Sequence, residues 1–190
     1  MHVAKPGLRV LGIAESYSGR EQSTLAGVVM RKDLLIDGVA FARVTVGGTD
    51  ATDAIIRLFT GLGRQDVNLM MISGSVIAWY NIIDPAAVQD ATGLPVIITT
   101  YEESEGLAEA ISRHFPGDTD RLAAYQRLGD RVPVRLHTGY DLFIRPYGLS
   151  PEDAGRLCND FTYEGRVPEP VRVARLIARG LVRSTRPGQP

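Results

Sequence analysis

Four carboxylates stand just beyond stretches of strand-forming residues. Glu15 follows LRVLGI (8–13), Asp50 and Asp53 follow the Gly47-Gly48 pair that closes a long strand-like run, and Asp84 ends the loop after VNLMMI (67–72). Carboxylate oxygens are hard ligands suited to Mg²⁺ or Mn²⁺, and acids gathered at one edge of a parallel sheet can share such ions. Each acid also has a plainer role open to it. Glu15 suits a solvated turn, Asp50 a helix cap, Asp53 an exposed first turn, and Asp84 an N-cap in front of Pro85.

Other side chains suit contact with a polymer. Trp79 and Tyr80 fall in a loop between a buried strand and an N-cap, where a ring can stack on an extruded base or pack beneath the loop. Asn81 beside them can read a base edge or tie the loop to backbone. Arg172, Arg175, Arg179 and Arg183 recur at three and four residues and form one stripe of a helix, leaving Val171, Leu176, Ile177 and Ala178 available to face a core. Such a stripe can follow a phosphate backbone or serve as a solvated face. The lone Cys158 excludes an internal disulfide and a thiolate cage, and falls in a helical pattern that suggests burial. His2, His114 and His137 lack metal-ligand spacing and read as structural or surface residues. Gly47-Gly48 has neither a Walker lysine nor the third glycine of a dinucleotide turn.

The elements that must position these groups follow from hydrophobic pattern. Residues 8–13, 23–30 and 34–46 read as three strands, and a helix with Ala54, Ile55, Leu58 and Phe59 on one face comes next. VNLMMI and PVIITT (95–100) are short continuous apolar runs of the kind found in strands covered on both sides, with a short helix from Asp84-Pro85 between them. Strands 1, 4 and 5 of this series are expected to be parallel. Helices are expected over 102–115 and 118–128, edge strands over 132–137 and 141–147, a helix opened by Ser150-Pro151-Glu152-Asp153, and a last helix after Pro168-Glu169-Pro170.

The 190 residues, 44 % hydrophobic and 23 % charged, suffice for one domain over 1–183, with 184–190 as a frayed tail. No apolar run approaches the roughly 20 residues of a membrane helix, and the first nine residues lack a small-residue cleavage site, so a cytoplasmic protein is expected. The net charge of −1 is divided unevenly: residues 161–190 hold six arginines and two glutamates.

Three mostly antiparallel strands, a helix, then parallel strands alternating with helices is the layout of the RNase H-like α/β fold. That fold hosts metal-assisted phosphodiester cleavage by acids at strand ends. The segments LRVLGIAES (8–16), TVGGTDATDAI (45–55), AWYNIID (78–84), LPVI (94–97) and VPEPVRVARLIA (167–178) resemble, in order and spacing, the archaeal endonuclease dU family, a relative of endonuclease V. The resemblance covers nearly the whole chain.

It implies an endonuclease V-like mixed sheet flanked by helices, and Mg²⁺- or Mn²⁺-dependent cleavage of DNA near a deaminated base such as deoxyuridine, in DNA repair; RNA is a second polymer to consider. The chain departs from the family pattern at Ala14-Glu15, where Asp-Asp is commoner, at Gly47, where Asp is commoner, and at Ser73, where endonuclease V has a metal-binding Asp. Adjacent strand residues point to opposite faces, so Glu15 can stand in for position 14 only where the strand ends or bulges. Glu15, Asp50 and Asp84 form the expected catalytic and metal-binding set, with Thr52, Trp79, Tyr80, Asn81, Arg172 and Arg175 as substrate contacts. Two rival readings are a nucleic-acid-binding protein that has lost catalysis and a protein-interaction module.

Overall fold

The computed structural model describes residues 7–17, 21–101 and 106–184. Three strands open it: β1 (Arg9–Tyr17), β2 (Gln22–Arg31) and β3 (Ile36–Thr45), followed by α1 (Ala51–Leu62) and β4 (Leu69–Ser73). A small hairpin, β5 (Val76–Ile77) and β6 (Asn81–Ile82), comes next, then α2 (Pro85–Thr92), β7 (Val96–Thr100), α3 (Ala108–His114) and α4 (Thr119–Arg127). Strands β8 (Val132–Arg135) and β9 (Asp141–Tyr147) and helices α5 (Pro151–Asp160) and α6 (Glu169–Ser184) complete the order. The N-terminal residues 1–6, His2 among them, the segment 102–105 expected to begin a helix, and the tail 185–190 lie outside the described residues.

Seven strands form one sheet in the order β3-β2-β1-β4-β7-β9-β8. β1, β4 and β7 are parallel, as the pattern predicts, and β2, β3, β9 and β8 add antiparallel edges. β9 differs from its expected place at an edge. It pairs with β7 on one side and β8 on the other, because Val132–Arg135 docks outside it.

The sheet is covered on both faces, which explains the unbroken apolar runs of its central strands. Leu11, Ile13, Met70, Ile72, Val96 and Ile98 point toward α1 and α2. Val10, Leu69, Met71 and Ile97 point to the opposite face, where Leu157 and Cys158 of α5 and Val171 of α6 close a second core. Cys158 is fully buried there, and burial pushes its thiol up to about 12. α6 lies close on β1: a Cβ added to Gly12 would run into the backbone of Pro170. The helix buries Val171, Ala174, Ala178 and Val182. Leu176, grouped with the core-facing residues by composition, is 54 % exposed, because five positions from Val171 is well off that stripe.

Among the described residues no helix is long and apolar enough to cross a membrane.

Candidate functional site

The carboxyl ends of β1, β4 and β7 form a rim, the place where open α/β sheets bind ligands. Its two faces carry different chemistry. β1 continues to Tyr17 and pairs with β2 in unbroken register through Glu15 and Ser16. With no bulge, alternation puts Ile13 and Glu15 on the α1 side and Ala14 on the α6 side, where Ala14 packs against Val28 and Ala174. Glu15 therefore does not take the place of its neighbour. Its carboxylate accepts a short hydrogen bond from the Ser23 hydroxyl. Burial raises its pKa above the usual value, and the Ser23 bond offsets part of that rise.

Asp50 precedes α1 but does not cap it with its side chain. The carboxylate turns back to accept from the Thr45 amide and hydroxyl, the latter at 2.8 Å, and from the Asn81 amide at 2.7 Å. Burial alone would raise its pKa; the Asn81 and Thr45 hydrogen bonds outweigh that and hold it below the usual range. Asn81 is fully buried and also donates to the Thr45 carbonyl while accepting from the Ala51 amide. It ties β3, α1 and β6 together, the backbone role rather than base reading. Asp84 is the N-cap of α2, accepting from the Ala86 and Ala87 amides at 3.1 Å each. The Thr52 hydroxyl accepts the Asp84 amide at 2.9 Å, so Thr52 joins α1 to the start of α2.

Ala78, Trp79 and Tyr80 form the turn between β5 and β6, and all three have positive φ, at 40°, 55° and 61°. Left-handed backbone costs roughly 1–2 kcal/mol per residue, so neighbouring contacts must hold the turn. The Gly47 amide donates to the Ala78 carbonyl at 2.7 Å. Arg121 of α4, only 7 % exposed, is paired with Asp118, donates to the carbonyls of Gly47, Gly48 and Tyr80, and lies 4.0 Å over the Phe115 ring. Both rings of the turn meet His114 and Phe115, yet Trp79 stays 56 % exposed.

On the α6 side of the rim, Arg175 donates to the Ser73 hydroxyl at 2.7 Å and sits 5.0 Å over the Tyr101 ring. The Tyr101 hydroxyl bonds Thr99 at 2.8 Å. Arg172 is engaged elsewhere, gripping Glu169 through contacts of 2.6 to 2.9 Å.

Glu15, Asp50 and Asp84 are not brought together as a ligand set. Among the described residues, no three of His, Cys, Asp and Glu are grouped so that they could hold a metal ion. At the strand ends facing α6 the groups present are a methyl, a hydroxyl and a guanidinium, which do not fit Mg²⁺ or Mn²⁺. Facing α1, Asp50 is committed to Asn81 and Thr45, and Asp84 to its helix.

Sequence reasoning also missed a cavity of about 390 Å³ at the carboxyl ends of β4 and β7. Gly74, Ser75, Thr100, Gln126, Arg131 and Arg145 line it. They come from four separate stretches that no local pattern joins. Ser73, one residue before Gly74, lines a separate narrow crevice with Glu15, Ile77 and Ile83.

A mixed seven-stranded sheet of this order, with helices on both faces, is an RNase H-like fold of the endonuclease V kind. The family model described as endonuclease dU matches residues 6–182, and the chain belongs to that family. It is 42 % identical over 176 residues to a UPF0215 protein of Pyrobaculum calidifontis, covering 90 % of this chain and 95 % of the relative. A UPF0215 protein of Thermococcus kodakarensis is 31 % identical over 189 residues, with 94 % of each covered.

Among solved structures, a protein of unknown function from Archaeoglobus fulgidus superposes with a TM-score of 0.80 at 25 % identity, covering 92 % of this chain and 98 % of that one. Human ENDOV gives 0.67 at 17 % identity, with 94 % and 86 % covered. Endonuclease V of Ciona intestinalis, in complex with a 24mer DNA containing an inosine followed by a ribo-adenosine, gives 0.64 at 14 %, with 95 % and 88 % covered.

Proposed function

We propose that this chain is a DNA endonuclease that recognises a deaminated base such as deoxyuridine and hydrolyses the strand beside it, a repair role in the cytoplasm. The observation that carries the reading is the cavity at the carboxyl ends of β4 and β7. Its volume falls in the range of small-molecule sites and accommodates a single nucleobase. The Gln126 amide offers both a donor and an acceptor, which suits the imide edge of uracil. A base enters such a pocket only after leaving its stack, and the exposed Trp79 ring on the neighbouring hairpin can fill the gap left behind. Membership of the endonuclease dU family and the DNA-bound Ciona relative support the same reading.

Of Glu15, Asp50 and Asp84, Glu15 is the one whose carboxylate accepts no backbone amide among the described hydrogen bonds, so the proton-transfer role falls to it. Its raised pKa favours taking and returning a proton: water attacks phosphorus, Glu15 accepts its proton, the phosphorus–oxygen bond to the leaving strand breaks, the departing oxygen takes a proton from bulk water, and Glu15 then gives its own back to solvent. The donors present do not fit a divalent ion, so no step is assigned to one.

The buried Ala14 methyl favours a second reading, a protein that binds damaged strands without cutting them. Purified protein mixed with uracil-containing and uracil-free oligonucleotides, with Mg²⁺, with Mn²⁺ and with EDTA, separates the two. Cutting beside uracil that disappears in Glu15→Gln is the expected result. Binding with no cut in any condition overturns the endonuclease and leaves the second reading.

A further inference from the structure

The arginines at the basic end of the chain are not equivalent. Arg172 is neutralised by Glu169, whereas Arg175, Arg179 and Arg183 pair with no acid among the described residues. Arg179 and Arg183 line a crevice of about 260 Å³ with Ser16 and Tyr17 at the end of β1. One helical turn back, Arg175 sits against Ser73 and Tyr101. Arg166 extends the row: it donates to the Tyr101 carbonyl at 2.8 Å, lies 5.6 Å over the Tyr140 ring, and shares a crevice of about 520 Å³ with both tyrosines. Arg135 also borders that crevice but is taken up by Asp141. The row ends at Tyr140, which is about half exposed at 48 %; Tyr17 borders the Arg179 crevice, but alternation along β1 turns its side chain to the α1 side with Glu15.

We propose that Arg183, Arg179, Arg175, Arg166 and Tyr140 form a track for one unpaired strand of DNA along the α6 side of the rim. The inference rests on the reading that the chain acts on DNA, and adds which form of DNA and which surface. Arg175 to Arg183 spans about 12 Å of helix, with a guanidinium at each turn, a repeat that suits a chain of phosphates better than an isolated anion. Guanidinium forks match phosphate oxygens. The half-exposed Tyr140 ring decides the strandedness: tyrosine stacks on the open face of a base, and a duplex presents no such face along its length.

Fluorescence anisotropy with a short, labelled, uracil-free DNA strand and its duplex, both in EDTA, tests the track. The single strand is expected to bind at least about tenfold more tightly. Arg179→Ala combined with Arg183→Ala should weaken that binding about tenfold. The slope of log affinity against log salt should fall by about 1.4, because each phosphate of a single strand that an arginine no longer neutralises takes away roughly 0.7. Tyr140→Ala should weaken the single strand and leave the duplex unchanged, while Arg57→Ala on α1 should change neither.

Equal or tighter binding of duplex, or an unaltered double-arginine variant, overturns the track. An RNA strand of the same sequence bound tenfold more tightly overturns the assignment to DNA. The two proposals fail separately. Uracil-directed cutting that survives the double-arginine variant at low protein concentration removes the track alone, and track-dependent binding without any cutting removes the endonuclease alone.

Discussion

The Asn81 amide nitrogen lies 2.7 Å from the Asp50 carboxylate, a hydrogen bond spanning 31 positions of chain. The same buried side chain satisfies the Thr45 carbonyl and the Ala51 amide. One side chain thus fixes the end of β3, the start of α1 and the strand that follows the Trp79 turn.

Removing it should be costly. Asn81→Ala leaves a carbonyl, an amide and a carboxylate short of partners, and each unsatisfied buried group costs about 1–3 kcal/mol. Urea unfolding should show a loss of roughly 2–4 kcal/mol after partial relaxation. A loss below about 0.5 kcal/mol would mean that water replaces the amide.

Asp50 and Glu15 should give opposite pH dependences. The folded pKa of Asp50 lies below its ordinary 3.8, so its contribution to stability is present above that value and is lost as pH falls through the folded pKa. Asp50→Asn should remove this acid-side loss from a plot of Tm against pH. Glu15 has a folded pKa above its ordinary 4.5. The native state there holds its proton more tightly than the unfolded chain, so stability falls as pH rises from about 4.5 through the folded pKa. Glu15→Gln should therefore raise Tm at neutral pH while abolishing any cleavage. A lowered Tm would show that the carboxylate stabilises the fold.

Gly12→Ala tests the seat of α6. The added methyl would meet the Pro170 backbone, which cannot step aside as a flexible side chain can. Overpacking of this kind typically costs about 1–3 kcal/mol, so thermal unfolding should shift down accordingly. An unshifted midpoint would require α6 to move freely away from β1.

Arg121→Ala should release the strained turn. Three carbonyls lose their donor and Asp118 keeps only the residue-121 amide in place of amide plus guanidinium, and a loss of roughly 2–4 kcal/mol is expected. Trp79 is the one tryptophan of the chain, so its emission reports directly on the turn and should shift to the red. An unchanged spectrum in a folded variant would show that Phe115 and His114 suffice to hold it.

Much of the architecture was legible in the sequence, because strands covered on both faces read as unbroken apolar runs and Asp84-Pro85 and Ser150-Pro151 mark helix starts by local chemistry alone. The position of β9 was not, since which of two short strands docks outermost depends on contacts with β7. Among the site residues, identity was readable and direction was not. Asp50 looks like a cap and instead reaches back to Thr45 and Asn81. The link between Arg175 and Ser73 spans 102 positions, and no local pattern foretells it. The alternation rule did decide the question at β1: with no bulge in the strand, Glu15 and Ala14 occupy opposite faces.

The burial of Cys158 has a practical side. With a thiol pKa near 12 and no exposed surface, almost none of it is thiolate at neutral pH, and thiolate is the reactive species. The natural chain is therefore silent toward maleimides and similar reagents. A cysteine introduced on the exposed surface becomes the single labelling handle, and a dye can be placed there without first engineering the native thiol away.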